Sequence, residues 1–210
     1  MVIYTLQIFT FLLFAVAAYV AIRRREFWLL ALASIYAVFF ENLDVVLSQG
    51  RNGGYFYDPR LILTIIETPL FVILSWGVIF YSAYLIAKGL SGKYWIQAIT
   101  VPLLILIIDL PLDPVATKLG LWTWIGYGAG QGIVGVPVSN FIGWYLVILA
   151  FMLSLTAMPH IKFLGRAGKY LVIPPLSFIV FVLFFTVYNY FASLAGISPD
   201  VEINCLPLFL

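Results

Sequence analysis

The chain has 210 residues, of which 64% are hydrophobic and 10% charged, with a mean hydropathy of +1.09, a composition that excludes an ordinary soluble domain and marks an integral membrane protein. A formal charge of +2 at pH 7 arises without any basic block, so a phosphate-tracking, nucleic-acid-binding surface is excluded as well. The length leaves room for one domain, and residues 1–210 are read as a single integral membrane helical domain.

A hydrocarbon core about 30 Å thick takes about 20 apolar residues per helix. Six apolar runs predict an all-α, polytopic membrane bundle of about six transmembrane helices. The first run, near 2–22, lacks the basic start and small-residue cleavage site of a signal peptide and is followed by Arg23, Arg24 and Arg25, so it is read as a spanning helix. The second, near 27–47, carries Glu41 and Asp44 toward its end. A turn-rich stretch from Gln49 to Gly54 leads to the third run, near 61–87, with Glu67 near its start and Pro69 just after. The fourth, near 95–114, ends in Asp109-Leu110-Pro111-Leu112-Asp113-Pro114. A long loop from Gly120 to Pro137 holds Trp122 and Trp124, and the fifth run, near 138–158, opens with Asn140 and Trp144. The sixth, near 170–195, carries Tyr188, Asn189 and Tyr190.

Cytoplasmic loops are enriched in Lys and Arg. The loops after the first, third and fifth runs hold eight of them: Arg23, Arg24, Arg25, Lys88, Lys93, Lys162, Arg166 and Lys169. The opposite side holds three, Arg51, Arg60 and Lys118. Both termini are therefore expected to be non-cytoplasmic, with Asp200 and Glu202 on that outer face and the chain in the cell membrane.

Several membrane chemistries need residues that this chain lacks. One cysteine, Cys205, excludes an intrachain disulfide and a cysteine-ligated iron–sulfur or four-cysteine zinc site. One histidine, His160 beside Pro159, excludes His-rich di-iron and bis-His haem sites and reads as an interfacial residue. All five lysines fall at helix ends or in loops, so none is placed to hold a retinal Schiff base. Neither a metal nor a cofactor is expected.

Of the nine acids, Glu41, Asp44, Glu67, Asp109 and Asp113 lie inside or at the ends of apolar runs. Ionisable groups there cost roughly 2.5 to 3.5 kcal/mol each on insertion scales and usually have a partner or a task. The alternating direction of the runs places all five in the outer half of the membrane. At about 100° per residue, Glu41 and Asp44 are about 60° apart and Asp109 and Asp113 about 40° apart, so each pair shares a helix face. Asn140, Trp144, Tyr188, Asn189 and Tyr190 are expected at the same level. A proline inside a helix frees the carbonyl four residues earlier: Pro69 would free Ile65, and Pro111 would free Ile107. Carboxyls clustered with no Lys or Arg at their depth cannot all be ionised, and at least one is expected to be a neutral acid at pH 7. A protonated acid facing an apolar, aromatic-lined cavity suits proton delivery to an uncharged substrate, with a second carboxylate positioning water.

Plainer readings stand beside this one. Asp44 and Asp113 are near enough to the interface to snorkel, Asn140 fits an interhelical hydrogen bond equally well, and Trp122, Trp124 and Trp144 fit an interfacial aromatic belt. Gly130-Gln131-Gly132-Ile133-Val134-Gly135 matches the glycine pattern of dinucleotide-binding loops, but no βαβ strand precedes it and no acid follows about 20 residues on. Its glycines are read as allowing tight turns and close backbone packing.

Taken together, Asp109 to Ala116, Leu121 to Trp124 and Gly135 to Trp144 resemble the carotenoid biosynthesis membrane proteins that include carotenoid 1,2-hydratases and bisanhydrobacterioruberin hydratases. Glu41 after two phenylalanines, the Tyr55-Phe56-Tyr57 segment and Glu67 before Thr68-Pro69 fit the same pattern. The resemblance runs over roughly 36–145, with Ile133-Val134 where the family commonly has an aromatic pair, and the first and sixth runs carry little of it. It implies addition of water across a terminal isoprenoid double bond without a redox cofactor. Asp109 or Glu67 would protonate the alkene, and Glu41 or Asp113 would accept a proton from water. Asp44, Tyr57, Trp124, Asn140 and Trp144 would line the site, with aromatic faces steadying the cation. The implied partners are a lipophilic polyene, water, membrane lipid and other enzymes of carotenoid synthesis. The same protonation leads to ring closure where water is excluded, so an end-group cyclase or isomerase is the alternative enzyme. Outside enzymes stand a proton-coupled transporter, which would place polar groups nearer the midplane with access from both faces, and a carotenoid-binding protein.

Overall fold

A computed structural model describes residues 2–48, 50, 52–128, 130–157 and 166–194. His160, Cys205, Asp200, Glu202 and the basic residues Arg51 and Lys162 lie outside them. The elements run α1 (Val2–Arg23), α2 (Phe27–Ser48), β1 (Tyr55–Tyr57), β2 (Thr64–Ile65), β3 (Thr68–Pro69), α3 (Leu70–Leu90), α4 (Tyr94–Lys118), β4 (Trp122–Trp124), α5 (Val138–Ala157) and α6 (Arg166–Leu194). Among the described residues five helices, α1 to α5, are long and apolar enough to cross a membrane, and α6 contains a shorter apolar stretch, Val172–Tyr188. The chain is a multi-pass membrane protein.

Helices α2, α3, α4, α5 and α6 pack as consecutive neighbours, α6 returns to touch α2, and α1 lies outside against α3 and α2. The core between them is built from Leu29, Leu30, Tyr36, Phe80, Tyr81, Val101, Ile105, Val147 and Phe151. Gly77 of α3 faces Ser34 of α2 so closely that a Cβ there would collide with the hydroxyl, which lets the two backbones approach. At one end of the bundle Glu26 accepts from Lys88 at 2.6 Å, Arg24 at 3.0 Å and Tyr81 at 3.1 Å. Burial pushes this carboxyl up, but the three donors outweigh it and hold the group below its usual value.

The third apolar run departs from expectation. Helix α3 starts at Leu70, and the stretch before it forms a small antiparallel hairpin, with Thr64 opposite Pro69 and Ile65 opposite Thr68. The residue before a proline is driven out of the helical region, so Thr68 extends and Pro69 becomes the N-cap of α3 rather than an interior residue. Pro69 therefore frees no helical carbonyl of Ile65. Leu63 and Ile66 adopt left-handed φ values of 58° and 62°, a strained choice above all for the β-branched Ile66. The hairpin is held from two sides: Asn42 Oδ1 of α2 accepts the Glu67 and Thr68 N–H groups at 2.8 and 3.2 Å, and Gln7 Oε1 of α1 accepts the Ile62 N–H at 2.9 Å.

Helix α4 runs further than expected, through Pro102, Pro111 and Pro114 to Lys118. Its buried positions, Gln97, Val101, Ile105, Asp109, Asp113 and Ala116, follow a three-to-four spacing that keeps both acids on the inward stripe. Beyond it, β4 pairs antiparallel with β1, matching Tyr55 to Trp124 and Tyr57 to Trp122. Alternation turns Tyr55, Trp122 and Trp124 inward and leaves Phe56 and Thr123 exposed. In the following loop Gly132 has φ of 56° and sits where a Cβ would strike the Val136 carbonyl, so it serves close backbone packing rather than nucleotide binding.

Replacing Asn42 by Leu leaves the fully buried Thr68 N–H without its acceptor, a loss of about 1 to 3 kcal/mol. The thermal midpoint of the detergent-solubilised variant is expected to fall measurably, and an unchanged midpoint would show that the hairpin does not depend on α2.

Candidate active site

The C-terminal parts of α2 and α4 and the N-terminal parts of α3 and α5 meet under the β1–β4 ribbon. Glu41, on the buried stripe of α2 at 2% exposure, is the centre of this region. Its Oε2 accepts the hydroxyls of Tyr55 at 2.6 Å and Tyr57 at 2.7 Å, and its Oε1 accepts the indole N–H of Trp76 from α3. A carboxylate with three donors and, among the described residues, no ion pair is matched as an acceptor-only group. Burial first, and then the charge of Glu41, push both phenols well above their ordinary value, so they serve as donors.

Asp109 and Asp113 come from the inward stripe of α4, at 5% and 6% exposure. Both lie within electrostatic reach of Glu41, and Asp113 within reach of Asp109. Their surroundings differ. Asp113 Oδ2 accepts the side-chain amide of Asn140 from the first turn of α5, whereas Asp109 Oδ2 is buried with no hydrogen-bond partner. The indole N–H of Trp124 is likewise buried and unpartnered.

These groups surround a cavity of about 460 Å³. Phe71, Val72, Ser75, Trp76 and Ile79 of α3 form its back wall; Leu6 and Thr10 of α1 flank one side; Ile105, Ile108, Asp109, Leu112, Asp113 and Ala116 of α4 flank the other. Tyr55, Tyr57, Trp122 and Trp124 roof it, and Asn140 and Trp144 close it from α5. Trp76 and Trp144 stack with centroids 4.3 Å apart at 30°, and both also line a separate void of about 20 Å³ deeper in the bundle. The stack is thus the cavity floor.

Of the residues singled out in the sequence, Glu41, Asp109, Asp113, Tyr57, Trp124, Asn140 and Trp144 are brought to this one cavity. Asp44 is not a lining residue; it lies one turn beyond Glu41, half-buried and within reach of the Tyr55 hydroxyl. Glu67 is not brought there either. It is exposed at the turn of the β2–β3 hairpin because the chain is not yet helical at that point. Nor does α6 contribute a lining side chain among the described residues: Tyr190 is exposed, Tyr188 is half-buried off the cavity, and the Asn189 side chain lies outside the described set. Trp76 was missed, although a tryptophan well inside an apolar run is too deep for an interfacial belt and needs an acceptor for its N–H. Among the described residues no group of three acids, histidines or cysteines has metal-site geometry.

The family described as carotenoid biosynthesis protein matches residues 2–202, so the likeness extends over α1 and α6 as well as the central motifs. No curated protein and no solved structure matches the chain significantly.

Because Tyr55 and Tyr57 are held above the ordinary phenol value of 10.0, both are expected to stay protonated at that pH. Near-ultraviolet phenolate absorbance at this pH should be the same for the wild type and the Tyr55→Phe/Tyr57→Phe double variant; a smaller signal in the variant would refute the assignment.

Proposed function

This chain belongs to the carotenoid biosynthesis protein family and so has a role in carotenoid biosynthesis, and from that premise we propose that it hydrates the terminal C1,2 double bond of a linear carotenoid. The observation that carries this reading is the contrast between two buried acids on one cavity. Glu41 accepts from three donors, whereas Asp109, which lines the same cavity, has a buried oxygen with no hydrogen-bond partner.

In the proposed reaction Asp109, as the neutral acid, gives its proton to C2 of the alkene, and the π electrons form the new C–H bond and leave a tertiary cation at C1. The ionised Glu41 and the faces of Trp124, Trp76 and Trp144 offset that positive charge. A water oxygen then bonds to C1 and its proton passes to Asp113, which Asn140 holds in place. Asp113 lies one turn along the same helix from Asp109, so return of the proton between them resets the pair. No electrons are exchanged, and the reaction needs neither an oxidant nor a reductant. The Lys and Arg count supports a site on the non-cytoplasmic side of the cell membrane.

Incubation of the purified protein with a linear polyene should give a product heavier by one water; ring closure would leave the mass unchanged. Asp109→Asn is expected to lower turnover by about 10²- to 10⁴-fold, as for loss of a general acid. Glu67→Gln, at the exposed hairpin turn, should stay near wild type. Full activity in Asp109→Asn, or no mass gain with the wild type, would sink the assignment.

A further inference from the structure

We infer that the cavity opens sideways into the lipid between α1 and α4 and admits a long apolar chain end-first, with Leu6 and Thr10 on one lip and Ile108 and Leu112 on the other. The inference rests on the hydratase reading for the identity of the chain as a polyene. Its geometry comes from residues that do two things at once. Ile108, Leu112 and Val115 line the cavity and are also 39%, 37% and 57% exposed, so the wall of the site is at the same time the outer surface of a spanning helix.

On the other side, α1 packs against α3 and α2 and reaches the cavity through Leu6 and Thr10. Helix α3, which packs against both α1 and α4, forms the back of the space between them. The front therefore faces the bilayer. An opening framed by apolar side chains of two spanning helices lies at the depth of acyl chains, where water does not compete for it. The polar end of the cavity lies under the β1–β4 roof. Gln7, fully buried, fixes the outer end of α1 through its bond from the Ile62 N–H, which holds the lip in position beside the mouth.

Volume supports the same arrangement. About 460 Å³ is an ordinary pocket for one small ligand, on the scale of roughly 300 to 1,000 Å³. It encloses the end of a long polyene and leaves the remainder in the lipid against α1 and α4. Substrate ends are thus handled one at a time, and the lip residues select for chain length while the acids select for the alkene.

The test compares, in phosphatidylcholine nanodiscs, a long linear polyene with a short acyclic isoprenoid carrying the same terminal alkene. Thr10→Trp is expected to lower kcat/KM for the long substrate at least about tenfold more than for the short one. Leu12→Trp, on the lipid face of α1, should change neither. A photoreactive benzophenone side chain placed at Thr10 or at Leu112 should form adducts with the long polyene, and one placed at Leu12 should not. Adducts at the lips without hydration would uphold the opening and overturn the hydratase reading. Hydration with equal losses for both substrates, or adducts absent at Thr10 and Leu112, would overturn the opening.

Discussion

A carboxyl group in the interior of a membrane bundle is several kcal/mol out of place unless donors surround it, and Glu41 obtains its donors from two elements other than its own helix. Trp76 reaches it from α3, and Tyr55 and Tyr57 reach it from a strand only three residues long. Such a strand has no stability of its own; it is held by pairing with β4, which in turn hangs from the end of α4. One carboxylate in α2 therefore ties together the loop before α3 and the loop after α4. The roof of the cavity and the acid beneath it are the same construction.

Much of this was legible in the sequence, for reasons that also explain the rest. The bounds of α1, α2 and α5 follow from runs of about 20 apolar residues, where many small transfer terms add in one direction. The shared face of Asp109 and Asp113 follows from helical geometry alone, and the meeting of Glu41 with them follows from depth once the runs alternate. The start of α3 did not emerge because apolar residues resume on both sides of Glu67-Thr68-Pro69, and what stops the helix is a pre-proline restriction together with an amide 25 residues away. That placed Glu67 in a helix it does not occupy. Tyr55-Phe56-Tyr57 and Trp122-Thr123-Trp124 each alternate with a period of two, the mark of a strand, but a membrane composition draws attention to helices and belts. Trp76 needed its acceptor to be known before its N–H had a meaning.

Helix α4 shows how the acids are accommodated. A proline supplies no N–H, so Pro111 and Pro114 leave the carbonyls of Ile107 and Leu110 without their usual helical donors, on the turns that carry Asp109 and Asp113. In a bilayer such carbonyls persist only beside protein, water or polar side chains. The stretch of α4 least able to satisfy itself is thus the stretch that borders the cavity.

The stacked indoles of Trp76 and Trp144 have a consequence of another kind. Two large flat rings in face contact, braced from below by Phe40 and Phe80 around a void of about 20 Å³, leave nothing that a sliding chain can push aside. For a chain entering the cavity they would be a buffer stop at the end of a track. On the proposed hydratase reading, a linear molecule advancing until its tip meets them would come to rest at a fixed register, with its terminal double bond beside Asp109. Selection of the terminal double bond among many chemically similar ones would then rest on where two tryptophans halt the tip.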